Sequence, residues 1–181
     1  MREKIIFFSV WFSFFAFVLS ASPTFEGNLR ETYNFNPGWK LYVGDISGAE
    51  APAFNDHDWE TVTLPRAFNE DEAFRFHITK LTDTIVWYRK HFKLDATSRD
   101  KLVAIEFDGV YHNSEVWING HFVGRRPYGY SSFQYDLTRH LKFGDDENMI
   151  AVRVDHTKFA DSRWYTGSGI YRHVRLHITD R

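Results

Sequence analysis

The chain of 181 residues contains no cysteine, and that one absence removes several chemistries at once. No disulfide framework, thiolate metal site, thiol nucleophile or lipid-bearing cysteine can be built from it. An excess of positive charge is also missing: 22 Lys and Arg face 24 Asp and Glu, for a formal net charge of −2. Nucleic-acid binding draws on a basic stripe that displaces counterions, so nucleic acid is not an expected partner. Sustained helical periodicity is absent beyond the first 25 residues, and no internal repeat or low-complexity segment is visible.

What the chain has instead is short runs of aromatic and β-branched residues. It is 43% hydrophobic and 18% aromatic, enough for one single-core domain. At its start Met1-Arg2-Glu3-Lys4 carries net positive charge, residues 5–19 are apolar and uncharged, and Ser20-Ala21-Ser22 supplies small residues before Pro23. This order predicts a secretory signal over 1–22 and a secreted or periplasmic domain over 23–181, with no stable membrane anchor after cleavage. The competing reading is an uncleaved anchor, because about 18 apolar residues can span a bilayer.

The sharpest local pattern runs through residues 102–124. Residues 102–107 form a strand, Asp108-Gly109 a turn that tolerates positive φ, and 115–118 a second strand. Asn119-Gly120 then calls for a type I′ hairpin turn, which needs φ > 0 at both central residues. Residues 30–36, 39–43, 59–64, 85–94, 130–136, 149–155 and 171–178 read as further strands, and 137–141 as one helical turn. Residues 45–58 read as a loop and 66–83 as a polar surface excursion. On strand 85–94, Val86, Tyr88, Phe92 and Leu94 mark an apolar face while Arg89, His91 and Lys93 mark a polar one, so a half-buried strand is expected. Trp117 reads as core, and Asp108 as a side chain that caps its own turn. Short strands with turn signals between them predict an all-β, antiparallel jelly-roll β-sandwich.

Six pieces follow one another in a telling order: Trp87-Tyr88-Arg89-Lys90, Phe107-Asp108-Gly109-Val110, Val116-Trp117-Ile118-Asn119-Gly120, Tyr128-Gly129-Tyr130-Ser131-Ser132-Phe133, Tyr135-Asp136-Leu137-Thr138, and Arg163-Trp164-Tyr165 running to Gly169-Ile170-Tyr171-Arg172. Together they resemble the N-terminal sugar-binding, galactose-binding-like domain of glycoside hydrolase family 2, which includes β-galactosidases, β-glucuronidases and β-mannosidases. The resemblance implies a secreted retaining glycosidase, β-galactosidase being the first choice, in which this domain precedes an immunoglobulin-like domain and a (β/α)₈ barrel. The catalytic glutamates of such enzymes stand on the barrel, and the chain stops at Arg181, where the family's first domain ends. The expectation is therefore a domain with no catalytic residue of its own and no cofactor. Its partners would be the barrel of the same enzyme and a terminal β-linked sugar.

The resemblance also places two sugar contacts. One falls on Asp83, about five residues before Tyr88; the other is an acidic residue ahead of Gly169-Ile170-Tyr171-Arg172, where a strict count gives Arg163 and the nearest carboxylate is Asp161. The chemistry of that loop agrees without the family name. Carboxylates hold sugar hydroxyls in bidentate fashion and aromatic rings pack on C–H faces, and Asp161, Arg163, Trp164 and Tyr165 put both kinds of group together. The competing structural reading packs Trp164 and Tyr165 under the sheet and pairs Asp161 with Arg163. Asn69-Glu70 looks like the asparagine–glutamate pair of the family's acid/base, but with Asp71 and Glu72 beside it before a β-strand it reads as a solvated acidic loop. His173 and His177 share a strand face without a third ligand, so no metal site is expected. Two rival functions remain: a stand-alone secreted carbohydrate-binding module or lectin, and an assembly domain that never touches sugar.

Overall fold

A computed structural model describes residues 30–73, 75–76, 84–157 and 167–181. The expected signal segment, 1–22, lies outside them. One sheet has four strands in the order β1 (Arg30–Asn34), β12 (Val174–Thr179), β6 (Leu102–Phe107), β9 (Phe133–Asp136). The other has six: β3 (Glu60–Val62), β2 (Trp39–Val43), β5 (Ile85–Phe92), β10 (Asn148–Asp155), β7 (Ser114–Ile118), β8 (His121–Arg126). Every pairing in them is antiparallel. A two-stranded patch, β4 (Arg66–Ala67) with β11 (Gly169–Ile170), stands apart.

Period-2 alternation builds the layer between the sheets. Val103, Ile105 and Phe107 of β6 and Val116 and Ile118 of β7 point inward and are fully buried, together with Ile150, Val152 and Val154 of β10. The β7–β8 turn has the expected dihedral signs, with φ of 50° at Asn119 and 82° at Gly120. Asn119 then ties the turn down, donating to His140 O at 2.7 Å and Asn148 Oδ1 at 2.8 Å while its Oδ1 accepts from Met149 N at 2.9 Å.

The outer face of the six-stranded sheet departs from expectation. The first half of β5 is buried on both faces: Arg89, expected on the polar face, and Trp87 on the same side are 0% and 3% exposed, while His91 and, past the strand, Lys93 are exposed as expected. The reason is that residues 44–58 fold over this face and close a second apolar cluster of Ala49, Trp59, Trp87, Met149 and Ala151, flanked by Tyr42, Phe54 and Trp117. Trp59 stacks on Tyr42 at 5.2 Å and Trp117 on Trp87 at 5.5 Å. Trp117 is thus half-buried in this outer cluster and not in the inter-sheet core, because it alternates with the inward Val116 and Ile118. Asp108 also differs: its carboxylate accepts from Arg175 at 2.6 Å across the sheet.

Arg89 holds the covering loop. Its Nε donates to Asp56 at 2.7 Å, one terminal nitrogen donates to Ala49 O and to Ala51 O at 3.0 Å, and the other to Phe54 O at 3.2 Å. Burial pushes the Asp56 carboxyl up, but hydrogen bonds from Arg89 and His91 outweigh it and hold the group below its ordinary 3.8. The unfolded chain therefore binds more protons than the folded one in this range, and stability rises with pH. The contribution is complete above the ordinary value and disappears as pH falls through the lower folded value. Acid unfolding followed by tryptophan fluorescence should accordingly be less steep below pH 3.8 in Asp56→Asn, which starts from lower stability at neutral pH. Equal slopes in variant and wild type would refute the role of Asp56.

Candidate functional site

Asp83, Asp161, Arg163, Trp164 and Tyr165 all lie outside the described residues; what the structure shows is where their flanking residues stand. β5 and β10 end together, with Ile85 opposite Asp155, and beyond that pair His156 N donates to Thr84 O at 3.0 Å. Asp83 immediately precedes Thr84, and the stretch bearing Asp161–Tyr165 runs between Thr157 and Gly167. Thr84 and His156, the posts beside these two segments, are therefore hydrogen-bonded neighbours though far apart in sequence.

Three buried polar residues fasten those posts. His156, Ser168 and Asn69 are 1%, 0% and 1% exposed. Asn69 Nδ2 donates to Ser168 Oγ at 3.3 Å, Ser168 N donates to Asn69 Oδ1 at 3.2 Å, and the Ser168 hydroxyl meets His156 Nδ1. The serine hydroxyl, which can donate once and accept twice, thus joins the amide and the imidazole. A serine beside a histidine invites comparison with a hydrolytic triad, but Ser168 is closed to solvent. The trio is a clamp. It also corrects the reading of 66–83 as a surface excursion: Arg66–Ala67 is a paired strand and Asn69 is buried, while Glu70–Ala73 form a short helix whose Glu70 and Asp71 lie 3.6 and 3.3 Å from Arg66.

Beneath the clamp, Gly169 exchanges backbone hydrogen bonds with Tyr111 at 2.7 and 2.9 Å. It adopts φ of 107°, and a Cβ there would lie 2.1 Å from the Tyr88 hydroxyl, which donates to Arg66 O at 2.7 Å. From this floor a series of rings leads outward. His156 packs edge-on to Tyr111 at 5.1 Å and to His112 at 5.0 Å; Tyr111 meets Tyr130 at 5.2 Å, and Tyr130 meets Tyr128 at 5.8 Å. Tyr128 and Tyr130 end the series 60% and 44% exposed. Tyr171 braces them by donating from its hydroxyl to Gly129 O at 2.9 Å. Burial pushes the Tyr171 phenol up, with Arg172 pulling it down and Tyr130 and Tyr128 adding to the rise. The exposed phenol rings of Tyr128 and Tyr130 are of the kind that pack on sugar C–H faces and bond sugar hydroxyls.

Sequence reasoning missed Asn69, His112, His156 and Ser168. A signal existed for His156: Ile150, Val152 and Val154 face inward, and the same alternation carries on to 156. No local pattern marks Asn69, whose partner is 99 residues away.

Residues 50–180 match the family described as glycosyl hydrolases family 2, sugar binding domain. A β-galactosidase of Bacteroides ovatus is 46% identical over 156 residues, which cover 83% of this chain and 18% of that protein. Among solved structures, a β-glucuronidase from glycoside hydrolase family 2 superposes with a TM-score of 0.78 at 37% identity, over 85% of this chain and 18% of that one. A β-glycosidase from Bacteroides vulgatus gives 0.73 at 46% identity, over 82% and 20%. The antiparallel sheets and the family match together define a β-sandwich of the sugar-binding-domain class. The chain belongs to glycoside hydrolase family 2, and it spans about a fifth of the length of the relatives it matches.

Proposed function

We propose that this domain stands at the N-terminus of a secreted family 2 glycosidase of the β-galactosidase type, where it forms one wall of the pocket for a terminal β-linked sugar. The segments bearing Asp83 and Asp161–Tyr165 supply the polar and aromatic contacts. A barrel elsewhere in the enzyme supplies the two carboxyl groups that a retaining mechanism needs about 5 to 5.5 Å apart. The observation that carries this reading is the hydrogen bond from His156 N to Thr84 O, reinforced by the Asn69–Ser168–His156 clamp. It brings the roots of both segments together, as a shared sugar contact requires. The relatives support the substrate class, since one is a β-galactosidase and another a β-glucuronidase. The order of a positively charged start, an apolar run over 5–19 and small residues at 20–22 supports export.

Asp83→Ala and Asp161→Ala in the enzyme that carries this domain test the proposal. Losing a hydrogen bond to an ionised group costs about 1.5–3 kcal/mol, so kcat/KM for a β-galactoside should fall roughly tenfold or more in each, with the melting curve unmoved. Wild-type kinetics in both variants would overturn the contact assignment and favour the assembly role.

A further inference from the structure

Residues 44–58 cover the outer face of the six-stranded sheet over β5 and β10, and Trp117 on β7 flanks the cluster they close. Next to it, on the edge strand β8, Phe122 is 55% exposed and sets its ring edge-on to Trp117, with centres 5.6 Å apart and planes at 60°. Trp117 is itself stacked on Trp87 at 5.5 Å, and Trp87 Nε1 donates to Asp45 Oδ1 at 3.3 Å. Phe122 therefore leans on a ring that is already held. A string of charges runs beside these rings. Arg153 donates to Asp45 at 3.3 Å from Nε and 3.1 Å from a terminal nitrogen, and it lies 3.8 Å from Glu115, which is 4.0 Å from Arg125. Register ties the string to the rings: Glu115 and Trp117 share one face of β7, and opposite them on β8 stand Arg125 and Phe122. Hydrogen bonds from Arg153 and Trp87, against a rise from burial, hold the Asp45 carboxyl below its ordinary 3.8. The four charges are thus two of each sign, paired with one another.

These features select a ligand class. A cluster with no net charge exerts no pull on an ion. An apolar protein surface would strip water from the charged string, a cost that ion pairs recover only in part, and one exposed and one half-buried ring fall well short of the roughly 800 Å² per partner of a stable dimer. A neutral pyranose chain suits both halves of the patch: its C–H faces pack on Phe122 and the open part of Trp117, while its hydroxyls keep Glu115 and Arg125 hydrogen-bonded. We propose that Trp117 and Phe122, with Glu115 and Arg125 beside them, form a surface site for the backbone of a neutral polysaccharide, which holds the polymer against the domain. The proposal does not rest on the sugar-wall reading, since none of its residues lies in the segments bearing Asp83 or Asp161–Tyr165.

The test titrates cellohexaose, xylohexaose and mannohexaose, all uncharged, into the purified chain and follows it by NMR. At least one should shift the Trp117 indole and Phe122 ring signals saturably in the millimolar range or below, and the matching disaccharide, which covers a single ring, should bind about tenfold more weakly. Raising the salt should change the hexaose affinity by less than about twofold, because no net charge takes part. Phe122→Ala should weaken the hexaose about tenfold with its melting curve unmoved, and Phe122→Tyr, which keeps the ring, should bind like the wild type. Unmoved Trp117 and Phe122 signals with all three hexaoses at about 10 mM would overturn the site, as would equal binding by wild type and Phe122→Ala. So would a chain that light scattering finds dimeric and that Phe122→Ala turns monomeric, which would give this face to a second copy.

Discussion

Replacing Arg89 by methionine should lower the unfolding midpoint by roughly 6–20 °C, since breaking a buried ion pair costs about 3–5 kcal/mol and each kcal/mol shifts a domain of this size by about 2–4 °C. Methionine keeps the aliphatic stem but takes the donors away from the carbonyls of Ala49, Ala51 and Phe54 and leaves Asp56 without its guanidinium. A buried acceptor with no donor carries its full desolvation cost, and here several are orphaned together. Arg89→Lys should fall between, because an ammonium keeps the charge but lacks the planar fork that reaches Asp56 and the carbonyls at once. Calorimetry gives the midpoint, and the emission of Trp59, packed under the same loop on Tyr42 and Phe54, reports whether the loop has lifted. If Arg89→Met melts with the wild type, the aromatic cluster alone holds the loop and the guanidinium is dispensable.

Gly169→Ala should cost about as much by a different route. At φ of 107° an L-residue is strained, and the new methyl would sit 2.1 Å from the Tyr88 hydroxyl. Left-handed strain of about 1–2 kcal/mol adds to overpacking of about 1–3 kcal/mol. Relief requires Tyr88 to move off Arg66 O, which frees β4 from β5 and disturbs the Ser168–His156 bond next to it. The expected total is about 2–5 kcal/mol, read as a lowered unfolding midpoint. The double variant Gly169→Ala with Tyr88→Phe separates the terms: removing the hydroxyl should return the steric part and leave the backbone part. No recovery in the double variant would show that strain alone governs the position.

The strands were legible because their residues carry the pattern themselves. Residues 102–107 are Leu102–Phe107 in the structure, and the Asn119-Gly120 turn closes the hairpin as its dihedral demands require. Burial of Arg89 was not legible, since nothing within β5 announces that residues 44–58 will cover its outer face. Alternation says which side a residue takes, and tertiary contacts decide what lies on that side. Trp117 packs against an apolar cluster, as expected of a large aromatic, but on the outer face, because it alternates with the inward Val116 and Ile118. At the site, His156 was within reach of the alternation rule, whereas Asn69 and Ser168 depend on a long-range contact that no local pattern encodes. Asp83 and Asp161–Tyr165 rest on the resemblance and on the position of their posts.

The posts have an evolutionary consequence. Thr84, His156 and Ser168 are held by bonds to one another and to Asn69, none of which involves residues 77–83 or 158–166. These residues hold one another from within the sandwich, so a change at one of them moves the others. A substitution at Asn69 is accordingly felt at a partner 99 residues away, and selection acts on Asn69, Thr84, His156 and Ser168 as one unit.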